Sequence, residues 1–453
     1  MNVHSLSSSR RGGADQAGSP DSAAQETSTQ TQGFDESTGS SETDALLVSR
    51  QPIFDRDKNV WGHELFLQDC AGENSRKTLD PDISSFSMLL ADGYVMGTRG
   101  LSADRNICLN ISLKNLYDVH SLALPTDKVW IEIAASEYAA TPLETLTLLR
   151  ERGFRVILDK YVGEEVDTER LDFADFIKIN FMGTNPRRII ELRSMLKERK
   201  HALAAVGIDD WISYEGARAL GFQTFQGHFF SVPEIVAGRK LPSHKATRVK
   251  LVKALYAQTD ETEAILEAIG ADPPLAYRLL RYINSPGFGL ANKVTTLRHA
   301  VALLGCNALR NWAMAVVVAD MDCSDKGSEL SWLALHRALF LQALAEQGLA
   351  GEWDSESMFL LGLFSTIDAM IGLSMDEVLQ ELPLDPRLAK ALTAKGQARP
   401  PWLILLCHLE AGRLDEMRTL LAQLSIPPGK AAKMYLTAGR QASETMREVA
   451  QTC

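Results

Sequence analysis

The sequence has no CxxC pair, no apolar run near the roughly 18 residues of a membrane span, and no excess of basic charge. Each absence excludes a class. Its six cysteines (Cys70, Cys108, Cys306, Cys323, Cys407, Cys453) are scattered, which speaks against a zinc site or a disulfide framework and for reduced thiols in a cytoplasmic setting. Without a spanning run, no membrane is expected. Lys plus Arg is 47 against 58 for Asp plus Glu, a net charge of −11, so no nucleic-acid partner is expected either. The start, MNVHSLSSSRRGG, has no apolar core and is not read as a secretory signal. No GxGxxG follows the first apolar run, and GxxxxGK[ST] occurs nowhere, so nucleotide-phosphate loops of those kinds are missing. What remains is an ordinary globular composition, 45% hydrophobic and 23% charged over 453 residues, room for about two to three domains.

Residues 1–45 are Ser, Thr, Gly, Gln and acids, with two arginines against seven carboxylates. So little apolar surface cannot offset the entropy of ordering, and a disordered tail is expected. From Leu46 the texture changes. LLVSRQPI, VWGHELFL, ICLNIS, KVWIEIA, RVILD, FIKIN, ALAAV and TFQGHFF read as strands, with helices expected near 81–95, 143–152, 187–199 and 213–220. This alternation argues for parallel strands with crossover helices, and eight strands in this length suggest a closed barrel, an open doubly wound sheet being the alternative. Around 238–247 the texture changes again. Beyond it, Asp272 is an expected N-cap, SPGFG a loop, and TLRHAVALLG a helix ending at Gly305. Helices follow over 329–348, 356–372, 386–395, 400–424 and 429–450.

Several apolar strands carry one polar residue near the C-terminal end: Asn110, Glu132, Asp159 and Lys178, with Glu64 similar. A lone charge buried in a strand costs several kcal/mol unless paired or metal-bound. Five at equivalent strand ends read as one convergent site, on the face where β/α barrels place their chemistry. Three carboxylates and an amide are hard oxygen ligands suited to Mg²⁺ or Mn²⁺. The competing reading is a buried ion pair of Lys178 with one carboxylate.

The order of these motifs resembles the EAL domain, the (β/α) barrel of cyclic di-GMP phosphodiesterases, over 46–240. The most specific piece is QGHFFSVP, Gln226 to Pro233. The resemblance implies that Glu64, Asn110, Glu132 and Asp159 stand where active members hold their first metal ion. Lys178 and Gln226 stand at the family's lysine and glutamine. The departures are severe. Gln68 replaces a phosphate-gripping arginine, Lys160 a second-metal ligand, Ala135 a supporting glutamate, Asn180 an aspartate, and Val206 the general base. A cation repels a second ion, and valine cannot accept a proton, so no phosphodiesterase activity is expected. The Glu64/Asn110/Glu132/Asp159 cage can still hold Mg or Mn; the preferred alternative is that Lys160 salt-bridges these carboxylates and no metal binds.

The second half, 245–453, resembles the HDOD domain, a relative of HD phosphohydrolases, best at DPPLAYRLLRYINSPGFG and TTLRHAVALLGCNALRNWA. Ser365 and Thr366 stand at the vestigial His-Asp dyad, where neither ligates a metal. His299 and His336 are read as ordinary helical histidines, and Asn284 with Ser285 as loop-shaping residues. The fold class is therefore α/β plus all-α: a degenerate EAL-type barrel followed by an all-helical HDOD domain. The pairing resembles the bacterial EAL–HDOD family, often described as YuxH-like. It implies a cytoplasmic signalling protein without catalysis or cofactor, acting through protein partners in motility, biofilm or virulence. A cyclic di-GMP receptor and a residual enzyme are the second and third readings. Binding of the dinucleotide is disfavoured by Gln68 and by Glu164 and Glu165 in the loop. Trp130, Trp211, Trp312 and Trp332 are candidate anchors if exposed.

Overall fold

The computed structural model describes residues 46–450 apart from 70–92, 100, 102–103, 117–123, 164–165, 198, 200, 235–247, 249–250, 253–254, 256–264, 267–268, 271–272, 285–293, 321, 323 and 382–383. The expectations for the 1–45 tail, Asp272, the 285–289 loop, the 238–247 boundary and most of the 81–95 helix lie outside the described residues.

Eight strands close into a barrel in chain order. They are β1 (Leu46–Asp55), β2 (Val60–Asp69), β3 (Asn106–Asn110), β4 (Val129–Ala134), β5 (Arg155–Asp159), β6 (Phe176–Asn180), β7 (Ala202–Val206) and β8 (Thr224–Gln226). Strand β1 is antiparallel to both neighbours, β2 and β8; every other adjacent pair is parallel. The exception has a local cause. β1 and β2 are joined by four residues, too few for a crossover. Asp55 closes that turn by accepting from the backbone N–H of Asp57 at 2.8 Å and of Asn59 at 2.9 Å. Parallel pairs need helical crossovers, supplied in part by α1 (Leu143–Glu151), α2 (Pro186–Leu196) and α3 (Trp211–Ala219). Asn185 caps α2 and Asp210 caps α3.

Side chains fill the barrel in layers. One layer is aromatic, with Trp61, Trp130 and Phe176 in mutual contact at centroid distances of 5.0–5.2 Å. Ile53, Cys108 and Ile157 join it. The next layer, towards the C-terminal strand ends, is polar. β1 and β2 are twice as long as most strands. Only Ile53–Asp55 pair with β8, so the rest of β1 rises past the mouth, paired with β2 alone.

The second half is helical: α4 (Pro273–Ile283), α5 (Leu297–Leu304), α6 (Cys306–Ala319), α7 (Asp325–Glu346), α8 (Ser355–Phe364), α9 (Ile367–Ile371), α10 (Met375–Glu381), α11 (Pro386–Thr393), α12 (Pro401–Glu410), α13 (Leu414–Gln423) and α14 (Pro428–Ala450). Helix α7 is its axis, with Leu330, Ala334, Leu335, Ala338, Phe340 and Leu341 buried around it. Two expected helices are each broken in two. The 356–372 helix stops at Ser365 and restarts from Thr366 at φ −129°. The 400–424 helix breaks at Gly412, whose φ is +62°. Asn284 holds the far side of the 285–293 segment. Its Oδ1 accepts from Val294 N–H at 2.8 Å, and its Nδ2 donates to Leu280 O and Val294 O.

The halves pack directly, with α12 and α14 against β1. The start of α7 meets β2, where Asp325 accepts from Val60 N–H at 3.1 Å and from Arg105 at 2.7 Å. His63 pairs with Glu329 at 3.0 Å. No single helix among the described residues is long and apolar enough to cross a membrane.

Candidate functional site

The polar layer at the mouth centres on Lys178. Its side chain is 2% exposed, and Nζ donates to Glu64 Oε2 at 2.6 Å and Glu132 Oε2 at 2.5 Å. Gln226 Nε2 donates to the same Glu64 oxygen at 2.7 Å and to Gln51 Oε1 at 2.8 Å. Strand alternation explains the convergence. Glu64 is in register with Gln51 across the β1–β2 pair, and each polar residue lies on the inward-facing parity of its strand.

Not every sequence candidate joins. Asp159 is buried at the end of β5. Asn110 ends β3 opposite Glu132, but its side chain is exposed. Lys160, expected to bridge the carboxylates, reaches only Asp159 at 3.8 Å, with its side chain 73% exposed. Its φ of +56° turns it off the strand and into solvent. The cation among the carboxylates is Lys178 instead, and it bridges two of them rather than one. The Gln68 side chain and Glu164 and Glu165 lie outside the described residues. Asn180 spends its Oδ1 on the Gly183 N–H at 2.9 Å.

The electrostatics follow from crowding. Three buried carboxylates around one ammonium leave the group short of positive charge. Burial, and then the neighbouring Glu64 charge, push the Glu132 carboxyl well above its ordinary range. Burial raises Asp159 as well. Burial would lower Lys178, but Glu132 and Glu64 outweigh it and hold the ammonium protonated. A proton on Glu132 therefore brings the cluster towards neutrality.

A cavity of about 200 Å³ opens above this layer. Its wall includes Val206, Asp209 and His228 from the barrel and, from the helical half, Ala411 and Arg413. The turn that breaks α12 from α13 thus stands over the barrel mouth. Gln51 and Arg413 were not among the sequence candidates. The period-2 alternation in QPIF could have placed Gln51 on the inner face. Arg413 carries no such signal, because it arrives from a separate part of the chain. Asp209 lies below its usual range through a hydrogen bond to His228.

A magnesium-type ion needs about six oxygens at roughly 2.1 Å around one point. Among the described residues no group of three or more His, Cys, Asp or Glu side chains is arranged to hold a metal ion. Lys178 stands between two of the expected ligands, and Asn110 is exposed to solvent. These residues, as placed, do not fit a divalent ion.

Comparison with known proteins covers most of the chain. Residues 241–383 match the HDOD domain family. The chain is 26% identical over 405 residues to "Uncharacterized protein YuxH" of Bacillus subtilis (strain 168), spanning 87% of this chain and 97% of the relative. It is 27% identical over 347 residues to "Cyclic di-GMP phosphodiesterase CdgJ" of Vibrio cholerae, spanning 76% and 80%. The chain thus carries an HDOD domain in its second half and aligns with both relatives over most of its length. Among solved structures, Klebsiella pneumoniae BlrP1 in its pH 8.0 calcium/cy-diGMP complex is 15% identical with a TM-score of 0.33, over 40% of this chain and 54% of that one. An EAL domain protein from Listeria monocytogenes EGD-e is 16% identical with a TM-score of 0.34, over 41% and 87%.

In the HDOD half, Ser365 Oγ donates to Gly362 O at 2.7 Å and accepts from Arg337 Nη1 at 2.9 Å. Arg337 also grips Glu410 in a two-pronged pair at 2.7 and 2.6 Å. Thr366 is fully buried. Ser365 is thus joined to a buried ion pair linking α7, α12 and the α8–α9 corner, while the buried Thr366 Oγ1 has no hydrogen-bond partner among the described residues. His299 faces outward, whereas His336 is buried against Tyr435.

Proposed function

We propose that this chain is a non-catalytic signalling protein of a cyclic di-GMP-linked pathway, acting through protein contacts. The barrel keeps a phosphodiesterase scaffold but not its chemistry. One observation carries the reading: the Lys178 ammonium lies within 2.6 Å of both Glu64 and Glu132, at the floor of a mouth narrowed to about 200 Å³. Sites for drug-sized ligands run to about 300–1,000 Å³, so the mouth is smaller than the usual range for such a ligand. Val206 offers no base and Lys160 no ligand for a second ion. The link to cyclic di-GMP is supported by the name of the Vibrio cholerae relative.

That same name supports a second reading, hydrolysis or binding of the dinucleotide, since Glu64, Glu132, Asp159, Lys178 and Gln226 do line one mouth. The test is to incubate the full chain with cyclic di-GMP and Mg²⁺ or Mn²⁺, follow linear product, and titrate the dinucleotide calorimetrically. The expected result is intact nucleotide and no heat. Cleavage that disappears in Glu64→Ala would overturn the non-catalytic reading, and saturable binding without cleavage would replace it with a receptor.

A further inference from the structure

A second cavity lies away from the barrel mouth, at the seam between the halves. It measures about 520 Å³, within the ordinary range for small-molecule sites. One side is the rising end of β1 with the 93–98 helix; the other is α7 and α14.

Its lining is charged in one sense only. Arg50, Arg99, Lys433 and Arg440 all border it, and no carboxylate does so among the described residues. In a chain with a net charge of −11, four cations without an acid are a selective arrangement. Arg50 is the innermost. Its guanidinium stacks on the Trp332 ring at 3.6 Å and donates to Arg99 O at 3.4 Å. Its buried Nε has no hydrogen-bond partner among the described residues. The carboxylate acting on it, Glu329, is already spent on His63 at 3.0 Å. A buried guanidinium short of an acceptor is costly, and an anion in the cavity supplies one.

The rest of the wall is apolar and aromatic. Trp332, His336 and Tyr435 form an aromatic floor of mutually tilted rings at centroid distances of 4.7 and 4.2 Å. His336 lies well below its usual range because of burial and is neutral at physiological pH, so it adds surface rather than charge. At the lip, Val95 and Met96 are 62% and 49% exposed. Cations set beside an aromatic, apolar wall suit a molecule that carries both an anionic group and an aromatic ring.

We propose that this seam cavity binds a phosphate-bearing nucleotide. The phosphate is held by Arg50, Arg99, Lys433 and Arg440, and the base lies against the Trp332 side and the Val95–Met96 lip. Because the wall is drawn from both halves, an occupied cavity ties the barrel to the helical half. The inference is independent of any activity at the barrel mouth.

The test is calorimetric titration of the full chain with guanosine 5′-monophosphate, adenosine 5′-monophosphate and inorganic phosphate. Lys433→Glu and Arg440→Glu are the key variants, since both side chains are exposed and their loss spares the core. At least one nucleotide is expected to bind below roughly 1 mM, more tightly than phosphate, and to weaken about tenfold or more in each variant. Gln226→Ala, at the barrel mouth, is expected to leave binding unchanged. No heat from either nucleotide, affinity equal to that of phosphate, or binding lost in Gln226→Ala but kept in Arg440→Glu would each overturn the proposal.

Discussion

Lys178 pairs with Glu64 and Glu132 at once, and the cost of removing it follows from what is left behind. Lys178→Met leaves two buried carboxylates facing each other, and breaking such a pair costs about 3–5 kcal/mol. Urea unfolding should show that loss, and Glu132→Gln in the same background should restore part of it. If Lys178→Met is neutral, the cluster is not ion-paired in solution. Two other buried groups give acid stability opposing slopes. Burial lowers His336 to about 4, so the neutral ring is favoured in the fold. Its contribution is complete above about 6.5 and is lost as pH falls through 4, up to roughly 3 kcal/mol. Burial raises Asp368 to about 6, so its contribution is present below about 3.8 and is lost as pH rises through 6. His336→Gln should therefore flatten the acid limb of stability against pH, while Asp368→Asn should steepen it and add up to about 3 kcal/mol at neutral pH. Parallel curves for wild type and both variants would refute this assignment.

Among the elements, the turn between α12 and α13 carries the most consequence. Gly412 sits at φ +62°, and a Cβ there would lie 2.8 Å from the Phe66 ring. Gly412→Ala should therefore cost about 1–3 kcal/mol through backbone strain and overpacking. The same change should push the 411–413 turn off the barrel mouth. Thermal unfolding reads the first effect, and hydrogen exchange at Arg413 reads the second. A variant as stable as wild type would mean that the turn does not rest on β2. A glycine also sets the α7–α8 crossing, where any Cβ on Gly362 would strike the Ala338 backbone.

For the whole molecule, the contact between the halves decides how it unfolds. Burial alone would raise Glu329, but His63, Arg50 and Arg105 outweigh it and hold it at about 2. A lowered carboxylate contributes stability above about 4.5 and loses it as pH falls through 2. Glu329→Gln should therefore split a single calorimetric transition into two at neutral pH, one per half. Wild type should approach that behaviour only in strong acid. An unsplit transition in the variant would show that the β1–α14 packing alone couples the halves.

The alternation of apolar and polar residues along short β-branched runs was enough to place all eight strands, while their closure, favoured over an open sheet, was decided by the structure. The inner-face parity of Glu64, Glu132, Lys178 and Gln226 was legible for the same reason, because period-2 patterning is local. Helix breaks were less legible. Ser365–Thr366 and Gly412 interrupt apolar patterns that continue across them, and only packing against α7 and the barrel sets where they stop. Register and distance were beyond reach. Which lysine neutralises the carboxylates turned on a backbone angle: φ of +56° sends Lys160 outward, while strand parity sends Lys178 inward. Gln51, Arg413 and the cationic seam cavity depend on segments far apart in the chain meeting in space. Local pattern thus determined the strands and most of the helices, and the motif resemblance pointed to the fold. Only the tertiary structure decided which charges face each other, because that depends on contacts between parts of the chain that no local pattern relates.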